Sequence, residues 1–126
     1  MKINSVQSQN FQQEIKMRKV YNKLIRDRIP EIIIAAGETP KIRKLNKKEF
    51  KIELQKKVLE EAKELAVAKN KKDILNEVVD IQELLDWIIK EQKLTQAQIK
   101  KLQKEKNKKR GSFKKQLFLE YTKLNR

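Results

Sequence analysis

Two apolar stripes at helical spacing, each interrupted by a carboxylate, constrain this chain more than any other feature. At about 100° per residue, Phe50, Leu54, Val58 and Leu65 fall within about 80° of one another, as on one face of an amphipathic helix. Ile74, Val78, Ile81, Leu84, Leu85, Ile88 and Ile89 form a second such face. Glu61 projects inside the first arc, with Glu64 on its edge and Glu60 further round the side. Glu77 projects inside the second, with Asp80 at its border near Asp73 and Trp87. A carboxylate on a buried face must be paired, metal-bound or neutral, because stripping its water uncompensated costs several kcal/mol. Whatever this chain folds into has to bury two helices and neutralise Glu61 and Glu77.

Local signals set the expected boundaries. Asn46 with Glu49 three residues later reads as a capping box, opening a helix from about Lys47 to Lys69. Asn70 and Asp73 suggest a second start, for a helix from about Lys72 to Glu91. Thr95 with Gln98 is a third, for a basic helix from Gln96 to about Lys108. Pro30 suits the first turn of a short helix, Pro30 to Ala36, closed by Gly37 as a left-handed cap. Pro40 to Leu45 alternates apolar and basic residues and is expected to be extended. A turn is expected at Arg110 to Phe113, and a short element from Phe113 to Tyr121. Residues 1–18 read as a weakly ordered leader and 19–126 as one helical domain. The expected fold is all-α, a bundle built on an antiparallel helix hairpin, with short extended segments at most.

Composition narrows the chemistry. The chain has 126 residues, no Cys and no His, which removes disulfides, thiolate metal sites, imidazole bases and the usual zinc ligands. Catalysis would have to rest on carboxylates, amines, guanidiniums, hydroxyls and a hard cation such as Mg²⁺. The formal net charge of +15 points to anionic partners, nucleotides or nucleic acid, although lysines spread over helix surfaces also serve solvation alone. Charged residues (39%) match hydrophobic ones (38%), which is polar for a monomer of this size and favours association of amphipathic helices. With no run of about 20 apolar residues to span a membrane, a soluble cytoplasmic protein is the expectation.

Residues three apart on a helix face the same side. Glu61 with Glu64 makes one pair and Glu77 with Asp80 another, and on antiparallel neighbours the two pairs would converge. Four carboxylates without His or Cys suit Mg²⁺ or Mn²⁺, with positions left for water and phosphate oxygens. Structural ion pairs with Lys or Arg account for the same pattern equally well on these grounds alone. Trp87 and Tyr21 are the aromatics that could stack on a base, though core packing is the more ordinary role of each.

Glu60-Glu61-x-x-Glu64, twelve intervening residues, then Glu77-x-x-Asp80 resembles the EExxE…ExxD signature of the MazG-like all-α nucleoside triphosphate pyrophosphohydrolases. Tyr21 to Ile33 is similar to the YNKLVRDKIPEII opening of that superfamily's phosphoribosyl-ATP pyrophosphohydrolase-like branch. Lys108-Lys109-Arg110-Gly111-Ser112-Phe113 is similar to its KRGGF closing motif, with Ser112 in place of the second glycine. The resemblance spans roughly Val20 to Leu119. It implies Mg²⁺-dependent hydrolysis between the α and β phosphates of a nucleotide, releasing a monophosphate and pyrophosphate. It also implies that Glu61, Glu64, Glu77 and Asp80 hold the metal, that Glu60 and Glu61 serve catalysis, and that helices complete their bundle across a homodimer or higher oligomer. Lys23, Arg26, Lys109 and Arg110 become the candidate phosphate ligands, ahead of Arg28.

The leading expectation is therefore a nucleotide pyrophosphohydrolase, with house-cleaning of non-canonical nucleotides as its role. Two rivals stand beside it. One is a nucleic-acid-binding helical module, suggested by the run from Lys100 to Lys115, in which Glu105 alone opposes the positive charge. The other is a catalytically silent family member that binds nucleotides. A Ser112 forced to a positive φ would cost about 1 kcal/mol.

Overall fold

The computed structural model describes residues 17–125. Four helices lie within them and no strand: α1 (Ile29–Ala35), α2 (Lys47–Val67), α3 (Lys71–Glu91) and α4 (Gln96–Arg110). The fold is all-α, as expected. The expected leader, 1–18, lies outside the described residues except for Met17 and Arg18. No described helix is long and apolar enough to cross a membrane. The chain divides into two compact units, Met1–Glu64 and Leu65–Arg126.

In the first unit, α1 carries Pro30 in its first turn and ends as the sequence indicates. The Gly37 N–H donates to Ile34 O (3.0 Å) and the Glu38 N–H to Ile33 O (3.1 Å). These are the two bonds of a Schellman motif, and Gly37 supplies the positive φ of 88° that the motif needs. The chain from Glu38 to Asn46 has no regular structure. α2 then starts at a reciprocal capping box. Asn46 Oδ1 accepts from the Glu49 N–H (2.8 Å), and Glu49 Oε1 accepts from the Asn46 N–H (3.4 Å). Arg43 reaches the same carboxylate with both terminal nitrogens, at 3.3 and 2.7 Å. Leu54 is the one buried apolar side chain among the described residues, and Phe50, Val58 and Leu65 of the same stripe are half-buried.

In the second unit, α2 stops at Val67 rather than Lys69 and α3 begins at Lys71. The break is imposed by Asn70, which takes extended dihedrals (φ −111°, ψ 164°) so that its side chain can accept from the Asp73 N–H. The half-buried residues of α3 are Glu77, Asp80, Ile81, Leu84, Ile88, Ile89 and Glu91. Its apolar stripe is wider than this: Ile74, Val78 and Leu85, with Leu75 and Val79 beyond them, face water. α3 closes in a second Schellman motif, Lys93 N–H to Lys90 O (3.1 Å) and Leu94 N–H to Ile89 O (2.9 Å). Here the left-handed position is held by Lys93, at φ 54°.

α4 has the Thr95–Gln98 capping box, with both reciprocal bonds formed. It runs to Arg110, one turn-fraction past the expected end at Lys108, because its last residues are good helix formers whose charge favours a helix C-terminus. Arg110 is therefore helical rather than part of a turn. Gly111 takes the positive φ (80°), and Ser112 does not, so the anticipated strain at Ser112 is absent. The short element expected over Phe113 to Tyr121 does not form. That stretch has a turn, Gln116 N–H to Phe113 O (3.1 Å), and otherwise irregular, exposed backbone, since its apolar side chains have nothing to pack on within the unit.

A Cβ at Gly37 would meet nothing within 4 Å, so its substitution is a purely conformational change. Gly37→Ala is expected to destabilise the protein by about 1 kcal/mol, and Lys93→Gly to stabilise it by a similar amount, about 1 kcal/mol, read from denaturant midpoints. The Glu49 carboxyl is held below its ordinary pKa, first by the hydrogen bond from Arg43 and then by the Asn46 N–H. A lowered carboxyl stabilises the fold fully above its unfolded pKa and loses that contribution as pH falls through the folded value. Stability should thus decline below about pH 4.3, and Glu49→Gln, which can still cap, should flatten that decline in a pH series of unfolding midpoints.

Candidate metal centre

Glu61 lies on the Leu54 face of α2, two turns further along, and is only 7% exposed. Glu77 and Asp80 stand three residues apart on α3, so they share a side of that helix, and both are half-buried. One carboxylate oxygen from each of Glu61, Glu77 and Asp80 lies within 4.8 Å of the others. Two unit negative charges at that separation repel by about 3 kcal/mol at an effective dielectric constant of about 20. Asn76 Nδ2 donates a long hydrogen bond to Glu77 Oε1 (3.5 Å), while Glu77 Oε2 is shielded from solvent and accepts none. A shielded acceptor oxygen beside two further carboxylates fits a divalent cation. The all-oxygen donor set fits Mg²⁺, Mn²⁺ or Ca²⁺ rather than a soft metal.

Glu64, one turn beyond Glu61, is exposed and is not one of the three converging acids. Glu60 faces elsewhere. Its Oε1 accepts from Lys23 Nζ (3.0 Å), and Lys57 Nζ stands 3.6 Å from the same oxygen. The Lys23 hydrogen bond, with smaller help from Lys57, holds the Glu60 carboxyl below its ordinary pKa. Lys23, a candidate phosphate ligand, is thus seated as a counterion of Glu60. Lys57 was not singled out from sequence, although its i,i+3 spacing from Glu60 was the available signal.

Arg28 pairs with Glu31 in α1 at 3.3 Å. Arg26 lies exposed in the segment before α1, and Lys109 and Arg110 lie exposed in the last turn of α4. Neither aromatic singled out earlier is a core residue. Tyr21 is 56% exposed with Lys19 Nζ 5.3 Å from its ring centre. Trp87 is 38% exposed, its indole N–H donates to Glu83 Oε1 (3.2 Å), and Lys90 Nζ sits 4.7 Å from its ring centre. Partners one turn away on α3 hold Trp87 on the helix surface.

Comparison with known proteins gives little. No family model matches the chain. A 46-residue stretch is 50% identical to an uncharacterized protein from Mycolicibacterium smegmatis, covering 36% of this chain and 47% of that protein. The chain thus spans about half the length of this curated relative. No solved structure matches it.

If the three acids hold a divalent ion, Mg²⁺ or Mn²⁺ raises the unfolding midpoint, by about 2.7 kcal/mol of stability at a hundredfold excess over Kd. Glu77→Gln should abolish this shift in a thermal scan while leaving the metal-free midpoint unchanged or higher, because it removes one repelling charge.

Proposed function

We propose that this chain is a divalent-metal-dependent nucleotide pyrophosphohydrolase of the MazG-like kind. It would hydrolyse the anhydride between the α and β phosphates, giving a nucleoside monophosphate and pyrophosphate. The observation that carries this reading is the convergence of Glu61, Glu77 and Asp80, which are the acids of the ordered signature, around the shielded oxygen of Glu77. These three would hold Mg²⁺ or Mn²⁺, and Glu64, exposed one turn further along α2, is proposed to join them when the ion is bound. The bound ion would neutralise charge on phosphate oxygens and acidify a water.

The other residues act around that centre. Glu60 positions two ammonium groups, Lys23 and Lys57, one residue away from Glu61 in sequence. Lys23, Arg26, Lys109 and Arg110 remain the cations proposed to grip the phosphate chain, the arginines in bidentate fashion. Nucleotide substrates would put the enzyme in the cytoplasm, and house-cleaning of non-canonical nucleotides is the proposed role.

The reading includes a homo-oligomer. On α3, Leu75 is 60%, Val79 53%, Val78 47% and Leu85 41% exposed, a continuous apolar strip that a second copy of the chain would cover. Sedimentation should find a dimer or larger species, and Val78→Glu with Leu85→Glu should shift it toward monomer.

The decisive measurement is pyrophosphate release from a panel of canonical and modified nucleotides with Mg²⁺. Glu61→Gln and Glu77→Gln are each expected to lower kcat by at least about a hundredfold, the scale of losing a principal electrostatic group. Turnover that survives both substitutions would sink the assignment.

A further inference from the structure

Apart from Lys109 and Arg110, the cations of α4 and the segment after it have no part in the proposed hydrolase site. α4 carries Lys100, Lys101, Lys104, Lys106, Lys108, Lys109 and Arg110 against the single acid Glu105. Every residue of α4 except Ile99 is exposed. No ion pair between described residues engages any of these cations. The capping box at Thr95 and the positive-φ Gly111 delimit the helix at both ends, so the charges are held in fixed register. Lys100, Lys104 and Lys108 follow one another at steps of about 6 Å along one side, with Lys101 alongside.

Beyond Gly111 the same unit presents Phe113 (95% exposed), Phe118 (89%) and Tyr121 (70%) on irregular backbone. Lys114, Lys115 and Lys123 are interleaved with them, and Lys123 Nζ lies 5.9 Å from the Tyr121 ring centre. A row of cations continuing into water-facing aromatic rings is the combination that binds single-stranded nucleic acid. The cations follow the phosphates, and the rings stack on bases that a duplex would keep paired.

We propose that α4 and the segment after it form a sequence-independent binding surface for single-stranded RNA or DNA. An anionic membrane would also attract the charge. An interfacial helix, however, needs a broad apolar face, and the side of α4 bearing Ile99 and Leu102 also carries Lys106 and Arg110. The proposed surface uses none of the three converging acids, so binding needs no divalent ion and does not depend on the hydrolase reading.

The test uses the full chain in EDTA with fluorescent 20-nucleotide oligo-dT and oligo-U, the matching duplexes, and phosphatidylserine-containing vesicles. Anisotropy should show oligonucleotide binding whose log K falls with log salt at a slope of about −3, the value for four neutralised phosphates on a single strand. The quadruple change Lys100→Gln, Lys101→Gln, Lys104→Gln and Lys108→Gln should remove most of that slope, with helicity retained by circular dichroism, and the four Lys→Arg changes should restore it. Phe113→Ala with Phe118→Ala should weaken single-strand binding by about tenfold or more and leave duplex binding unchanged. Glu77→Gln should bind as wild type. Absence of binding at low salt, equal affinity for the duplex, tighter binding to the vesicles, or indifference to the quadruple change would each overturn the proposal.

Discussion

The burial of Glu61 is the constraint on which the acidic half of this protein turns. A carboxylate in a helix interior is tolerable only if something compensates its lost water. Two further carboxylates, Glu77 and Asp80, each bring an oxygen within 4.8 Å of one of its own. Three acids gathered in a chain of net charge +15 is the feature that most favours a cation as their common ligand. Without His or Cys, any ion held there would meet oxygen donors alone, a set that favours hard cations.

Elsewhere, opposite charges are matched at short range. Glu49 serves both as a cap partner and as the acceptor of Arg43, and Glu60 gathers Lys23 and Lys57 on one oxygen. The contrast between these matched groups and the bare row on α4 separates two uses of positive charge. Cations near α2 orient neighbouring carboxylates, whereas those of α4 project into solvent from a helix that buries almost nothing.

Features fixed by three or four neighbouring residues were legible in the sequence. Asn46 with Glu49, Asn70 with Asp73 and Thr95 with Gln98 each cap a helix, and Gly37 ends one, because capping depends on local donors and acceptors. Periodicity likewise placed Glu61 inward, whereas Glu64, expected at the edge of the stripe, is exposed. Contacts between distant residues were not legible: Lys23 and Glu60 are 37 positions apart, and nothing near either one announces the other. Lys93 was missed because a left-handed cap on a non-glycine leaves no compositional mark. The stretch Phe113 to Tyr121 was misjudged for a related reason, since apolar content signals burial only where a surface exists to receive it.

The Lys23–Glu60 pair has a consequence for motion. Its side chains are 49% and 31% exposed, so the contact is worth at most about 1 kcal/mol. Closing a flexible chain of that separation costs about 3 kcal/mol in entropy. The ion pair by itself is therefore too weak to fix Lys23 on Glu60 permanently. A contact of this size opens and closes locally while the helices stay formed. Each time the ion pair breaks, Lys23 leaves Glu60, and the carboxylate next to Glu61 in sequence keeps Lys57 as its companion.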